Sequence, residues 1–308
     1  MKILVTGAWR CSPSEISRIE SLGHTLVFMQ QEAGELPCEA DQIEGVVCNG
    51  LFLHHDINIF KNLKYIQLTS AGLDRVPVEK IEKRGITLRN ARGVYSIPMA
   101  EFAVAGVLSL YKQSRFFYKM QEQHLWEKNR GVLELFGKTV CIVGCGSVGN
   151  ECAKRFSAFG CHILGVDLYP REDGCYEAMR GFESLQECLS ESDVVVLTLP
   201  LTEQTKRLFD DKVFAAMKTG SVLVNIARGA IVDCEALKNA LESRLGGAVL
   251  DVFEEEPLAQ NSYLWDMKNV IVTPHNSFVG DGNGERLFDL IIRNLEEYNE
   301  NYCCRTQK

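Results

Sequence analysis

The sequence predicts an α/β protein built from two doubly wound parallel-sheet domains, and three observations carry that reading. Thr139–Val143 is a short apolar, β-branched run that stops in Gly144-Cys-Gly146-Ser-Val-Gly149 and resumes at helical spacing through Cys152, Ala153 and Phe156, a strand–turn–helix unit. Residues 1–95 carry a strand–helix rhythm of their own. From Gly137 the alternation continues to Thr273, and elements of this length in this order build open parallel sheets covered on both faces.

Taken in order, Ile3–Thr6 reads as a strand and Ser14–Leu22 as an amphipathic helix started by Ser12-Pro13. Strands follow at Thr25–Met29, Gly45–Cys48 and Leu63–Leu68, then a helix at Val78–Lys83 and a strand at Ile86–Arg89. Pro98–Tyr111 is almost wholly apolar, which predicts a buried helix linking two domains, with Pro98 in its first turn. Glu122–Arg130 is polar and reads as a loosely helical, exposed stretch. After Thr139–Val143 come a helix at Asn150–Gly160, strands at Cys161–Val166 and Val194–Leu199 and a helix at Asp210–Met217. A strand at Ser221–Ile226, a helix at Glu235–Glu242, and strands at Gly247–Val252 and Val270–Thr273 complete the second domain. Glu285–Tyr298 keeps helical period through Leu287, Leu290, Ile291 and Leu295, and is expected to cross back to the first domain.

Composition narrows the function classes. A chain of 308 residues, 46% apolar and 24% charged, fits two globular domains with sizeable cores. A net charge of −8 argues against nucleic acid or an anionic membrane as partner. The apolar run at the start is only Ile3–Val5, too short for a secretory h-region, and no run approaches membrane-spanning length. The twelve cysteines are scattered without CxxC spacing, which predicts reduced thiols in a cytoplasmic protein and no metal site.

The glycines at 144, 146 and 149 have distinct tasks: a tight turn, close approach of backbone to a pyrophosphate, and close packing of helix on strand. The anion would rest on N–H groups at the positive helix end. Asp167 ends the next strand 23 residues past Gly144, near the spacing of about 20 expected for the acid that binds an adenosine ribose. A dinucleotide site follows. Three further polar residues stand just past strand ends, where such sheets open to ligands: Arg228, Glu256 and His275. Reduction of a ketone by a nicotinamide needs a proton donor, and histidine titrates near working pH. A carboxylate beside it favours the imidazolium and fixes its tautomer. An arginine grips a substrate carboxylate through paired hydrogen bonds.

With these residues in place, the sequence resembles the D-isomer-specific 2-hydroxyacid dehydrogenase family, glyoxylate/hydroxypyruvate reductase-like and related to phosphoglycerate dehydrogenase. The resemblance is carried by Ser70-Ala-Gly-Leu-Asp74, Pro98-Met-Ala-Glu101, Gly144–Gly149, Leu199–Thr205, Asn225–Asp233, Leu250–Leu258 and Thr273-Pro-His275, which span nearly the whole chain. It implies a flavodoxin-like substrate domain (1–97 and 282–308) and an inserted Rossmann domain (98–281), in a homodimer that uses NAD. It implies Arg228, Glu256 and His275 as the catalytic set, and a substrate bound by Arg228, His275 and the N–H groups of Ala71 and Gly72, the last two on its carboxylate. By the same match the cofactor meets Gly144, Gly146, Ser147, Val148, Gly149, Asp167, Pro200, Thr205 and Ala227. Asp251 would bind the nicotinamide amide, and Asp167 favours NAD over NADP.

Some positions depart from the family pattern. Cys141 replaces a frequent glycine, Cys145 lies between two motif glycines as a small filler or a redox-sensitive thiol, and Phe278 follows the histidine closely enough to narrow a pocket. Relatives acting on 3-phosphoglycerate place an arginine near the end of the third strand, a position that falls here at Cys48, with no Lys or Arg before Lys61. Leu51 and Phe52 present an apolar wall instead. The sequence therefore predicts a small unphosphorylated 2-keto or 2-hydroxy acid such as glyoxylate or hydroxypyruvate, with Arg10 the cation best placed to reverse this. The alternatives are phosphoglycerate dehydrogenase activity, or a non-catalytic NAD(H) sensor of corepressor type, for which no basic or low-complexity tail speaks.

Overall fold

The computed structural model describes residues 1–306. The chain divides into two compact units, one made of Met1–Tyr95 with the segment from Gly280 onward, the other of Ser96–Val279.

In the first unit β1 (Lys2–Thr6) is followed by α1 (Pro13–Ser21), whose start is set by a capping box. Glu15 N donates to Ser12 Oγ and Ser12 N to Glu15 Oε2, with Pro13 in the first turn where no N–H is needed. Then come β2 (Thr25–Met29), β3 (Gly45–Cys48), a single turn α2 (Leu51–His54), β4 (Tyr65–Leu68), α3 (Val78–Lys83) and β5 (Thr87–Arg89). The five strands are parallel in the order β2-β1-β3-β4-β5.

The second unit opens with α4 (Ser96–Tyr111), which buries one side and leaves Glu101 and Ala105 exposed rather than being covered all round. Gly106 lets it lie on the sheet, since a Cβ there would stand 2.6 Å from Val249. α5 (Ser114–Glu122) follows a left-handed Gln113, and His124 at φ 56° ends it. The expected loose helix over Glu122–Arg130 is therefore absent, although the stretch is exposed as expected, with Trp126 97% accessible. The rest is β6 (Thr139–Val143), α6 (Ser147–Ala158), β7 (His162–Val166), β8 (Ala178–Arg180), α7 (Leu185–Glu191), β9 (Val194–Leu197) and α8 (Asp211–Ala216). β10 (Val222–Asn225), α9 (Cys234–Ser243), β11 (Gly247–Leu250) and β12 (Val270–Val272) complete it. The seven strands are parallel in the order β12-β11-β10-β9-β6-β7-β8. α10 (Asn283–Thr306) returns to the first unit and buries Leu287, Ile291 and Leu295 against Ile3, Val5 and Tyr65.

Each sheet has an apolar layer on both faces, which is why its central strands are buried throughout. Fully burying one Ile or Leu contributes about 1.5–3 kcal/mol, so these layers hold the strand ends rigidly enough to aim side chains from them. Among the described residues no helix is long and apolar enough to cross a membrane, and no cluster of potential metal ligands is present.

Candidate active site

Parallel strands put their carboxyl ends on one edge, and β12, β11 and β10 are neighbours, about 4.8 Å apart. His275 stands three residues past β12, Glu256 six past β11 and Arg228 three past β10. The edge thus gathers an imidazole, a carboxylate and a guanidinium. His275 Nδ1 lies 2.8 Å from Glu256 Oε2, and Phe253 N donates to the other carboxylate oxygen at 3.0 Å. The two side chains are 40% and 38% exposed, so the pair adds at most about 1 kcal/mol to stability. Its effect is orientation: with Nδ1–H donated to the carboxylate, Nε2 is the nitrogen left for chemistry. Phe278 meets the His275 ring edge-on, with centroids 6.1 Å apart.

The backbone at His275 is strained, with φ 50°, a left-handed conformation that ordinarily costs a bulky residue 1 kcal/mol or more. Asp251 holds it there. His275 N donates to Asp251 O at 2.8 Å. The fully buried Asp251 carboxylate accepts from Thr273 Oγ1 at 2.6 Å, Asn276 N at 2.7 Å and Ser277 N at 2.9 Å. Three of its roughly four acceptor positions are thereby used inside the chain.

Arg228 is half-buried on a loop whose path is fixed by Asn225, which accepts from Ala227 N and donates to Arg228 O. Gly229 allows this loop to press on the next, because a Cβ would fall 1.9 Å from Phe253 C. The acidic run Glu254–Glu256, which composition alone would leave in solvent, is sorted by its neighbours. Arg207 binds Glu254 at 3.1 Å, while Glu256 is kept for His275.

The dinucleotide motif has the expected shape at the other part of the same edge. Gly144 has φ +100° and no room for a Cβ, which would lie 2.6 Å from Leu199 N. At Gly149 a Cβ would meet Gly144 O at 2.3 Å. Gly146 is the N-cap of α6 and supplies no side-chain cap, so the first turn of the helix opens on a glycine cradle that fits a pyrophosphate. The helix starts three residues earlier than its apolar spacing suggests, because the first turn belongs to the motif. Asp167 accepts from Cys145 N at 2.7 Å and Tyr169 N at 3.0 Å, which leaves lone pairs for two hydroxyls. Arg171 turns away from the role of phosphate partner and donates to Cys145 O at 2.8 Å. Cys145 is fully buried with its thiol pushed up to about 12, burial being the main cause, so it fills space and is not a reactive thiol. Ser147 and Val148 open α6 itself, Pro200 and Thr205 lie past β9 with Thr205 Oγ1 donating to Pro200 O at 2.7 Å, and Ala227 lies past β10.

In the first unit the loop after β4 has its carbonyls tied back. Tyr95 Oη donates to Thr69 O, Ala91 N to Ser70 O at 2.9 Å, Asn90 Nδ2 to Ala71 O at 2.7 Å and Ser70 Oγ to Gly72 O at 3.2 Å. Among the described residues the N–H groups of Ala71 and Gly72 have no acceptor. Sequence reasoning missed Asn90 and Tyr95, whose polar type carries no signal until the loop's carbonyls need partners.

Known proteins resemble this chain in sequence and in fold. Residues 104–277 match the model of the "D-isomer specific 2-hydroxyacid dehydrogenase, NAD binding domain". A glyoxylate reductase of Thermococcus gammatolerans is 36% identical over 253 residues, covering 78% of this chain and 75% of that protein. An (S)-sulfolactate dehydrogenase of Chromohalobacter salexigens is 33% identical, with 77% of each chain covered. The crystal structure of a glyoxylate reductase from Paecilomyes thermophila superposes with a TM-score of 0.83 at 26% identity, over 97% of this chain and 95% of that one.

Proposed function

The chain belongs to the D-isomer-specific 2-hydroxyacid dehydrogenases, and we propose that it interconverts a small unphosphorylated 2-keto acid, such as glyoxylate or hydroxypyruvate, with its 2-hydroxy acid. It is an NAD-dependent oxidoreductase acting on a CH–OH group. The glycine cradle and Asp167 would hold NADH, whose chemistry would be hydride donation to a carbonyl carbon. Everything else falls to side chains and backbone.

His275 Nε2 gives its proton to the carbonyl oxygen as negative charge develops there, and in the reverse direction a neutral imidazole takes it back. Glu256 on Nδ1 keeps the ring in the tautomer that makes this possible. Arg228 pairs with the substrate carboxylate and draws electron density from the adjoining carbonyl. In the first unit the N–H groups of Ala71 and Gly72, which have no acceptor among the described residues, are donors that suit a carboxylate. The observation that carries the reading is the His275–Glu256 pair at a strand edge that also bears Arg228.

The unit containing Ser96–Val279 is thus the cofactor domain and the other the substrate domain. The protein works as a homodimer, a reading supported by the exposed apolar side chains Tyr118, Trp126, Leu133 and Phe136. Its ten described cysteines are free, which suits the cytoplasm. The test is NADH oxidation with glyoxylate, hydroxypyruvate, pyruvate and phosphohydroxypyruvate. Turnover of the unphosphorylated acids is expected. No turnover with any of them, with NADH still bound, would point to a sensor instead.

A further inference from the structure

One carboxylate at the carboxyl edge of the first unit's sheet takes no part in the chemistry above. Glu32 stands three residues past β2, and its side chain reaches over two neighbouring strand ends. Oε1 accepts from Thr6 Oγ1, at the end of β1, and from Asn49 N, just past β3, both at 2.7 Å. Oε2 accepts from Gly50 N at 2.6 Å. His55 Nε2 contacts the Glu32 carbonyl at 3.0 Å and pins the loop from behind. Bonds this short to an ionised acceptor are among the stronger ones in proteins. Gly50 suits the arrangement, since a Cβ there would lie 3.2 Å from Glu32 Oε2.

The turn that Glu32 grips is beside the substrate loop. β3 and β4 are paired, with Thr69 N donating to Cys48 O at 2.9 Å. The segment Cys48–Gly50 is therefore one strand spacing, about 4.8 Å, from the strand that leads into Ala71 and Gly72. Three donors at this edge, the Thr6 hydroxyl and the N–H groups of Asn49 and Gly50, are already spent on an internal anion. A fixed negative charge is added where the far end of a bound acid would extend. Burial first, and then the charge of the half-buried Glu32, raise the Cys48 thiol.

We infer that Glu32 is a specificity-determining residue: locked on Thr6, Asn49 and Gly50, it excludes 2-keto acids that carry a second anionic group on the carbon remote from the carboxylate, such as a phosphate, sulfonate or second carboxylate. This rests on the reading that Ala71 and Gly72 hold the substrate carboxylate. It differs from the missing arginine at Cys48, because it is a present charge and can be removed. Glu32 acts through its field and its grip on the turn, with no contact to the reacting atoms.

The experiment is kcat/KM for hydroxypyruvate and for phosphohydroxypyruvate with NADH, in the wild-type protein and in Glu32→Gln, at low and high potassium chloride. The wild type should favour hydroxypyruvate, and the ratio should fall on the order of tenfold or more in Glu32→Gln. The wild-type ratio should also shrink as salt rises, more than the variant's does. Equal losses on both substrates, leaving the ratio unchanged, would show a structural role only and overturn the inference. If Glu32→Gln does not fold, the salt series on the wild type decides: a ratio indifferent to salt overturns it. A wild type that prefers phosphohydroxypyruvate would refute both the substrate size and the role of Glu32. A wild type that reduces neither acid would refute the underlying reaction, a result distinguishable from failure at Glu32 alone.

Discussion

The two sheets equip their carboxyl edges by different means. The seven-stranded sheet ends in ionisable side chains, His275, Glu256, Arg228 and Asp167, each aimed by a second group that the chain supplies. After β4 the five-stranded sheet offers backbone: the N–H groups of Ala71 and Gly72 lie on a loop whose carbonyls, those of Thr69, Ser70, Ala71 and Gly72, are tied to Tyr95, Ala91, Asn90 and the Ser70 hydroxyl in turn. Side chains can exchange protons and bear charge. Backbone donors can only hold. On the proposed mechanism the second unit reacts as well as grips, through Arg228, while the backbone donors of the first can only grip, and each expectation below separates or collapses that division.

The largest effect belongs to His275. His275→Ala should lower kcat by about 10²–10⁴, while NADH affinity, followed by fluorescence titration, stays within about threefold. Comparable loss of NADH binding would mean that the histidine is part of the cofactor cradle. Next is Asp251, whose carboxylate gathers three donors under the His275 loop. Asp251→Ala should cost about 2–4 kcal/mol in urea unfolding and reduce kcat on the order of 10-fold to 100-fold as His275 leaves its left-handed conformation. Unchanged kcat in a destabilised protein would show that the loop keeps its shape without this anchor.

Asp167 should keep NADH ahead of NADPH by at least about tenfold in kcat/KM, since the carboxylate repels a 2′-phosphate and Arg171 is engaged elsewhere. Equal use of the two cofactors would contradict this. The smallest effect lies in the first unit. His24 is 95% buried (5% accessible), and burial, followed by the N-terminal ammonium, lowers its pKa to about 4. Between pH 6.5 and 4 the unfolded chain takes a proton that the folded chain refuses, so this stability is complete above 6.5 and lost as pH falls through that window. With allowance for partial solvation it amounts to about 1–2 kcal/mol. Urea midpoints at pH 7 and 4.5 should differ less in His24→Leu than in the wild type; an equal difference would place the acid sensitivity elsewhere.

The same division explains what could be read from the sequence. Gly144–Gly149 with Asp167, and the trio Arg228, Glu256 and His275, were legible because charged or glycine residues directly after apolar runs stand out. That Arg207 reaches Glu254 from another loop, which leaves Glu256 to His275, was not. Nothing short of the fold shows that Glu32 and Asn49 meet. Among the elements, β8 was missed because Ala178–Arg180 is a three-residue edge strand without an apolar run. α7 was missed although Leu185, Cys188 and Leu189 carry helical spacing, because its seven residues are otherwise polar. The first unit's grip, made of backbone, leaves almost no mark in side-chain chemistry, and only the resemblance to relatives pointed to Ala71 and Gly72.

The most direct measurement is the split between KM and kcat for hydroxypyruvate in Asn90→Ala beside His275→Ala. Removing the Asn90 clamp on Ala71 O should raise KM about tenfold with kcat within about threefold, whereas His275→Ala should lower kcat with KM nearly kept. If Asn90→Ala instead lowers kcat as steeply as His275→Ala with KM unmoved, grip and reaction are not divided between the two units.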